Sequence, residues 1–174
     1  MTKSAGDRIP SRAECVELMV QYSMLPNIVE HSMQVMNVSL AIIDNLRNGV
    51  SVNRDMVIAA ALLHDITKTK SLETKEHHDA SGGALLRELG FSSTAEIVEQ
   101  HVFIQNLRLE GMLEEREIVY YADKRVLHNT IVTIEERVHD LILRYGTTED
   151  ICSHILQSKI YMLAVEKKIA GFIE

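Results

Sequence analysis

Apolar residues recur with the spacing of an amphipathic α-helix along most of the chain, and this period constrains the fold more than any other feature. One stripe consists of Ile28, Val35, Val38 and Ile42, and His31 lies on the same face. The sequence contains only two prolines, and no segment alternates cleanly between apolar and polar residues, so strands are not needed. The pattern therefore predicts an all-α, single-domain helical bundle of about seven or eight helices over residues 1–174.

Capping residues and glycines predict where most of the helices begin and end. Ser11 with Glu14, and Thr133 with Glu136, have the spacing of a capping box. The segment from 67 to 76 is polar and is predicted to be a loop. The predicted helices run from Ser11 to near Pro26, from Asn27 to Gly49, from Ser51 or Asn53 to His64, from the end of the loop to Gly90, from Ser93 to His101, from Glu114 to Val126, from Thr133 to Gly146, and from Thr148 to near the end.

The charge balance and the lack of long apolar runs exclude several classes of partner. A net charge of −7 argues against binding to duplex nucleic acid, whereas a small phosphorylated substrate needs only local positive charge. The longest apolar run, from Met56 to Leu63, is too short to cross a membrane. Residues 1–7 lack the apolar stretch of a signal peptide, and the isolated Cys15 and Cys152 are typical of reduced thiols. We therefore expect a cytoplasmic protein.

Four polar residues occupy positions where an apolar core residue is expected: His31, His64, His101 and Asp123. A buried imidazole or carboxylate costs free energy unless it is paired, hydrogen-bonded or bound to a metal. Each alone would more often be a satisfied core residue than a ligand. Four such residues on separate helices indicate a shared site, because side chains that point inward from different helices of a bundle can converge on one point. Asp65 follows His64, and both can face one ion if the helix ends there. Such ligands favour Mn, Fe, Co, Ni or Zn over Mg or Ca.

The same residues belong to motifs that occur in a fixed order. The principal motifs are Val29-Glu30-His31-Ser32, Ala61-Leu62-Leu63-His64-Asp65-Ile66-Thr67-Lys68 and Tyr120-Tyr121-Ala122-Asp123-Lys124-Arg125. Between them lie His78-Asp79-Ala80-Ser81-Gly82 and Glu96-Ile97-Val98-Glu99-Gln100-His101. This set resembles the HD superfamily of metal-dependent phosphohydrolases over about residues 27–127. The resemblance implies the HD-domain fold, and we expect helices within 133–174 to complete the bundle.

The resemblance also implies a metal site with a defined ligand set. One ion would be held by His31, His64, Asp65 and Asp123. Two further histidines, His78 and His101, lie where the two-metal subfamilies place their extra ligands, and Asp65 would bridge the two ions. His77 is the alternative to His78, but the spacing to Gly82 and Gly90 favours His78. A mononuclear site is the alternative to the binuclear one.

Two basic residues near these motifs are candidates for contact with substrate. Lys68 stands three residues after Asp65, and in several members of the superfamily the lysine at this place meets a substrate phosphate, so we expect Asp65 and Lys68 to be catalytic. The alternative for Lys68 is a solvated lysine of the loop. Arg125 could bind phosphate as a second substrate-binding residue, or it could make a structural ion pair, which we favour.

The resemblance implies that a metal-activated water cleaves a phosphomonoester, phosphodiester or pyrophosphate bond of a nucleotide or small phosphorylated metabolite. The glycine-tyrosine-proline motif of the cyclic-dinucleotide hydrolases is absent, which argues against that substrate. The alternatives are a di-iron oxygenase of the same superfamily and a non-catalytic nucleotide-binding domain. Apolar residues of the last helix could close the bundle or pair two chains in a homodimer, and we favour closure of the bundle; they are Ile151, Ile155, Ile160, Met162, Leu163, Ile169 and Phe172.

Overall fold

The structure is a computed structural model, and it describes residues 7–174. This part of the chain contains nine helices and one short hairpin. The expectation about a signal peptide rests on residues 1–7 and falls almost wholly outside this part. The elements are α1 (Arg12–Gln21), α2 (Pro26–Asp44), α3 (Arg54–Leu63), α4 (Lys68–Thr74), α5 (His78–Glu88), α6 (Ser92–Val98), α7 (Glu115–Lys124), β1 (Val126–Leu127), β2 (Thr130–Ile131), α8 (Ile134–Tyr145) and α9 (Glu149–Ala170). The all-α prediction is confirmed.

Two helices, α1 and α8, begin at the side-chain caps that the sequence predicted. The Ser11 hydroxyl accepts from the backbone N–H of Glu14, and the Glu14 carboxylate accepts from the backbone N–H of Ser11. Thr133 and Glu136 form the same reciprocal pair at the start of α8. Both boxes satisfy N–H groups that have no partner inside the helix, so both predicted starts are confirmed.

Two helix starts differ from the prediction. Helix α2 begins at Pro26 rather than after Asn27, because a proline at the first helical position has its backbone angle already set and no N–H to satisfy. Helix α6 begins at Ser92, before the predicted cap Ser93. The backbone N–H of Ser93 instead donates to the Asp7 carboxylate at 3.1 Å. A carboxylate from a distant part of the chain thus supplies the anionic cap.

Two short elements were missed. Helix α4 occupies most of the segment predicted to be a loop, but none of its residues is buried, so it has no apolar stripe for sequence reasoning to detect. The expectation that strands are not needed is wrong as well, since β1 and β2 pair antiparallel, with Val126 opposite Ile131. Strands of two residues are too short to show alternation. The turn between them places His128 at φ +56°, which is uncommon for a residue with a side chain.

The core is built around α3, which packs against α1, α2, α6 and α7. Its segment from Ala59 to Leu63 is fully buried, which explains the long apolar run. Helix α2 also packs on α7, and α5 packs on α6. This arrangement brings one face of α2, the end of α3, the start of α5, the end of α6 and the last turns of α7 to one place in the bundle.

The last helix divides into a packed half and an exposed half. Met162, Val165 and Ile169 are buried where α9 packs on α7. Ile160 and Leu156 are exposed, and the pairing of two chains through this face stays a prediction. Within residues 7–174, none of the helices combines the length and the apolar character that crossing a membrane requires.

Candidate metal centre

Six side chains that the sequence singled out lie together in the interior of the bundle. They come from five elements, because helix ends as well as helix faces contribute: His31 from α2, His64 and Asp65 from the turn after α3, His78 from the first position of α5, His101 from the turn after α6, and Asp123 from α7. Five of the six are buried, and the His78 side chain is one-quarter exposed. The predicted end of α3 beside His64 is confirmed, which lets His64 and Asp65 face the same point.

The first half of the cluster joins two histidines with two carboxylates. His31 Nε2 lies 3.0 Å from Asp123 Oδ1, and His64 Nε2 lies 3.6 Å from the same oxygen. His64 Nε2 also lies 3.5 Å from Asp65 Oδ2. Ligand atoms of His31, His64 and Asp65 all lie within 4.8 Å of one another. This spacing lets one ion reach these three side chains, and Asp123 is joined to them through its contacts with His31 and His64.

The second half of the cluster uses the other oxygen of Asp65. Oδ1 lies 3.2 Å from His78 Nε2 and 3.5 Å from His101 Nε2. The two imidazole nitrogens are 3.2 Å apart. Asp65, His78 and His101 thus form a second group compact enough to hold an ion, and Asp65 is shared by both groups. His77, the alternative to His78, is exposed and lies outside both groups.

Two buried polar atoms in the cluster support its fit to a metal. His64 Nε2 and Asp65 Oδ1 have no hydrogen-bond partner among residues 7–174. A buried polar atom without a hydrogen-bond partner is rare and costs free energy. Two such atoms on adjacent residues of one cluster therefore call for a ligand that contacts both. A cation at this place would satisfy both atoms. The donor set of imidazole nitrogen and carboxylate oxygen is one that divalent transition metals prefer.

Backbone carbonyls orient three of the four histidines. His31 Nδ1 donates to the His128 carbonyl oxygen at 2.8 Å. His64 Nδ1 donates to the Ala61 carbonyl oxygen at 2.8 Å, and His101 Nδ1 to that of Val98 at 2.6 Å. A carbonyl only accepts, so Nδ1 carries a proton, and in the neutral form of each ring Nε2 would present its lone pair to the cluster. Outer hydrogen bonds of this kind are what fix the tautomer of metal-bound histidines.

The charges of the cluster keep its carboxylates ionised. Burial raises the pKa of Asp65, but the neighbouring histidines and the Lys68 ammonium hold that pKa well below its usual range. Burial likewise raises the pKa of Asp123, and the Lys124 ammonium together with His31 and His64 holds it well below its usual range. Burial lowers the pKa of His101, which favours its neutral form. Two carboxylates and a neutral imidazole are the protonation states that metal ligands require.

Two lysines contact the carboxylates from outside the cluster. Lys68 Nζ lies 2.7 Å from Asp65 Oδ2, and its side chain is about one-third exposed at 35%. Burial lowers the pKa of Lys68, but Asp65 and Asp123 more than offset this effect and raise it. Lys124 Nζ is buried and donates to Asp123 Oδ2 at 2.7 Å and to the His101 carbonyl oxygen at 2.8 Å. Sequence reasoning gave Lys124 no role, because only its burial at the end of α7 distinguishes it from a solvated lysine.

Five of the six clustered side chains, all but His64, line a cleft of about 370 Å³. Helix α8 and the hairpin form part of its wall, with Leu127, Leu141 and Tyr145 as apolar lining. The charged lining consists of four basic side chains and two carboxylates: Lys68, Lys124, Arg137, Arg144, Asp65 and Asp123. In a chain with a net charge of −7, this is a local concentration of positive charge.

Arg125 points to a structural network rather than to the cleft. Its Nε donates to the Val132 carbonyl oxygen at 2.6 Å, and its guanidinium contacts the Tyr121 hydroxyl and lies 3.6 Å from Glu166. It is absent from the cleft lining found within the described part of the chain. These contacts favour the structural interpretation of Arg125. Arg137 and Arg144 of α8 line the cleft instead, and no motif of the sequence indicated them.

Comparison with known proteins places these residues in a wider group. A family model described as HD domain matches residues 28–126, more than half of the chain. The dihydroneopterin 2′,3′-cyclic phosphate phosphodiesterase of Methanocaldococcus jannaschii is 45% identical over 51 residues, which are 28% of this chain and 20% of that protein. The chain therefore spans about a fifth of the length of this relative. No solved structure matches the chain.

Proposed function

The chain belongs to the HD domain family, and from this membership and the geometry of its site we propose that it is a metal-dependent phosphohydrolase. The bond that it cleaves is a phosphomonoester, phosphodiester or pyrophosphate bond of a nucleotide or another small phosphorylated metabolite. The observation that carries the proposal is the position of the Asp65 carboxylate. Its Oδ2 faces His64, and its Oδ1 faces His78 and His101.

In the proposed site the six clustered side chains hold two divalent transition-metal ions. His31, His64, Asp65 and Asp123 hold one ion, and Asp65, His78 and His101 hold the other. The compact spacing of His31, His64 and Asp65 and of Asp65, His78 and His101 supports this assignment. The contacts of Asp123 with His31 and His64, and the unpartnered His64 Nε2 and Asp65 Oδ1, support it as well. Bound there, such ions would supply an acidified water as nucleophile and would offset the charge of the phosphate oxygens.

The protein's own residues position and neutralise the phosphate. Lys68 borders the cleft and is held in place by Asp65, so its remaining N–H groups are available to a phosphoryl oxygen. Ammonium groups that are fixed before the reaction stabilise the charge that develops in the transition state. Lys124 keeps Asp123 in position from the far side of its carboxylate. We assign a catalytic role to Asp65 and Lys68.

Three features support a small phosphorylated substrate. The cleft has a volume of about 370 Å³, which lies near the lower end for small-molecule sites. Its positive lining favours an anion, and its apolar wall of Leu141 and Tyr145 offers a surface for an organic group such as a nucleobase. The relative from Methanocaldococcus jannaschii is, by its name, a phosphodiesterase that acts on a cyclic phosphate ester.

The test combines metal content with phosphate release. Untagged protein purified without chelators is analysed by elemental mass spectrometry and is then screened with nucleoside monophosphates, cyclic phosphates and pyrophosphates. His64→Ala should lose metal and phosphate release together. His139→Ala is the matched control, since His139 is also the first residue of a His-Asp pair but is exposed and lies outside the cluster.

The outcomes separate the proposal from its alternatives. About two ions per chain, with phosphate release that depends on His64, would support the binuclear phosphohydrolase. Two iron ions with oxygen consumption and no phosphate release would replace it with an oxygenase. Absence of metal after reconstitution would overturn the proposal, and a non-catalytic domain would then be the better description.

A further inference from the structure

Arg137 of α8 lines the cleft, but neither the proposed metal ligands nor the proposed role of Lys68 gives it a function. Its side chain is 14% exposed and lines the same cleft as His31 and Asp123. Its Nε is buried and has no hydrogen-bond partner in the described part of the chain. A mostly buried guanidinium carries five N–H donors and a charge that needs an anion.

The contact that Arg137 does make is weak. The nearest carboxylate is that of Asp140, one turn further along α8, whose Oδ2 lies 3.6 Å from Arg137 Nη1. This distance is too long for a hydrogen bond, and Asp140 Oδ2 also lacks a hydrogen-bond partner among residues 7–174. The other oxygen of Asp140 accepts from Arg144 Nε at 2.9 Å. Asp140 is thus engaged mainly by Arg144, and Arg137 retains donors for another group.

The surroundings of Arg137 make an anionic ligand the simplest explanation. Arg137, Lys68 and Lys124 line the same cleft. Like charges grouped around one cleft repel one another, and this repulsion is relieved when an anion binds among them.

The two lysines and Arg137 differ in what they contact. Lys68 is bonded to Asp65, and Lys124 is bonded to Asp123, so both are tied to the carboxylates of the proposed metal centre. Arg137 makes no ion pair with any of the six proposed ligands in the described residues, and it comes from α8, on the wall of the cleft. It is therefore placed to contact a part of the substrate other than the phosphate at the metal centre.

We propose that Arg137 binds a second phosphate group of the substrate, so that the enzyme selects small molecules carrying two phosphate groups. This inference rests on the proposed function for the position of the first phosphate. Arg137 acts as a specificity residue, since a planar guanidinium can give two parallel hydrogen bonds to phosphate oxygens. No bond is made or broken at this subsite.

The experiment measures binding of phosphonates, which are not hydrolysed. Methylphosphonate, methylenediphosphonate and propane-1,3-diphosphonate are titrated by calorimetry into metal-loaded protein and into chelator-treated protein. Wild-type protein should bind at least one diphosphonate about tenfold or more tightly than methylphosphonate, the scale of one charge-assisted pair. Arg137→Gln should abolish most of this preference and change methylphosphonate binding less than about threefold.

Two further variants separate the arginine from charge and folding effects. Lys70→Gln removes one positive charge near the cleft, but Lys70 is exposed and is not part of the cleft lining within the described residues, so the diphosphonate preference should remain. Arg137→Lys keeps the charge but lacks the planar donor pair, so it should keep only part of the wild-type diphosphonate preference. Circular dichroism and metal content of each variant report whether the fold is intact.

The proposal is overturned if wild-type protein shows no diphosphonate preference, or if Arg137→Gln weakens both kinds of phosphonate equally. It is also overturned if Lys70→Gln has the same effect as Arg137→Gln, because general charge would then explain the preference. An Arg137-dependent preference in chelator-treated protein, or in protein that releases no phosphate from any substrate, would support the subsite even if the proposed hydrolysis failed.

Discussion

His64 and His101 are oriented by the same local bond, although they follow different helices. Each imidazole donates its Nδ1–H to the backbone carbonyl three residues earlier, Ala61 for His64 and Val98 for His101. The two rings pack edge to face, with centroids 4.9 Å apart. A residue just past a helix end can reach one of the last carbonyls, which have no partner inside the helix. In each case one hydrogen bond satisfies a carbonyl at the helix end and fixes the tautomer in which the histidine Nε2 can bind a metal.

His78→Ala should reduce the metal content from about two ions per chain to about one and abolish most phosphate release. His78 lies at the edge of the fold, at the start of α5, so the helix content should be unchanged. His77→Ala is the matched control and should keep both ions, because His77 is exposed. Elemental mass spectrometry with circular dichroism makes the comparison. Two ions in His78→Ala would remove His78 from the ligand set.

Asp65→Asn should abolish the stabilisation of the protein by added metal. At a metal concentration of 100 times Kd, binding stabilises the native state by about 2.7 kcal/mol, which raises the Tm of a chain of this size by about 5–10 °C. A neutral amide would be a weaker ligand for a cation than the Asp65 carboxylate, which faces both groups of histidines. Asp79→Asn, in the neighbouring His-Asp pair, is the control and should show the wild-type rise. Equal rises for both variants in thermal denaturation would contradict the bridging role.

Lys124→Met should weaken metal binding by about 10- to 100-fold while most of the fold is retained. The ammonium of Lys124 holds Asp123 Oδ2 and the carbonyl oxygen of His101, so its loss leaves two proposed ligands less well oriented. Competition with a chromogenic chelator measures the affinity. Lys70→Met removes an exposed lysine near the same site and should have no effect. Equal affinities for Lys124→Met and wild type would show that Lys124 has no orienting role.

Lys168→Met should lower the free energy of unfolding by about 3–5 kcal/mol, since it leaves Glu117 as an unpaired buried charge. Lys168 Nζ lies 2.7 Å from Glu117 Oε1, and both side chains are almost fully buried. The pair joins α9 to α7. Urea denaturation of Lys168→Met, Glu117→Gln and the double variant tests this coupling. The double variant should lose less than the sum of the single losses, and simple additivity would contradict the prediction.

The parts of the fold that could be predicted are those with a local physical signal. Ser11 and Thr133 marked their helices because a capping box depends only on residues three apart. Helix α4 could not be found, because a helix without buried residues has no stripe. The hairpin was missed because its strands of two residues are too short to alternate. Pro26 marked the start of α2, but it was interpreted as the end of the preceding helix.

The candidate site was predictable where the sequence contained ordered motifs, and not elsewhere. The structure brings His31, His64, Asp65 and Asp123 together with the two further histidines that the resemblance indicated. Lys124 could not be distinguished from a solvated lysine, because its burial depends on how α7 packs. Arg137 lies beyond the region of resemblance, and its relation to the cleft depends on the direction in which α8 runs. Such relations arise from tertiary packing and leave no local pattern.

The carbonyl oxygen that orients His31 belongs to His128, in the hairpin turn. The matched family region ends at residue 126, two residues earlier. A fragment cut at that boundary would contain all six proposed ligands and would lack the acceptor that sets the tautomer of one of them. Grafting residues 28–126 onto another helical scaffold would therefore transfer the metal-binding side chains but not the hydrogen bond that prepares His31. The smallest transferable unit of this centre extends at least through the turn at His128.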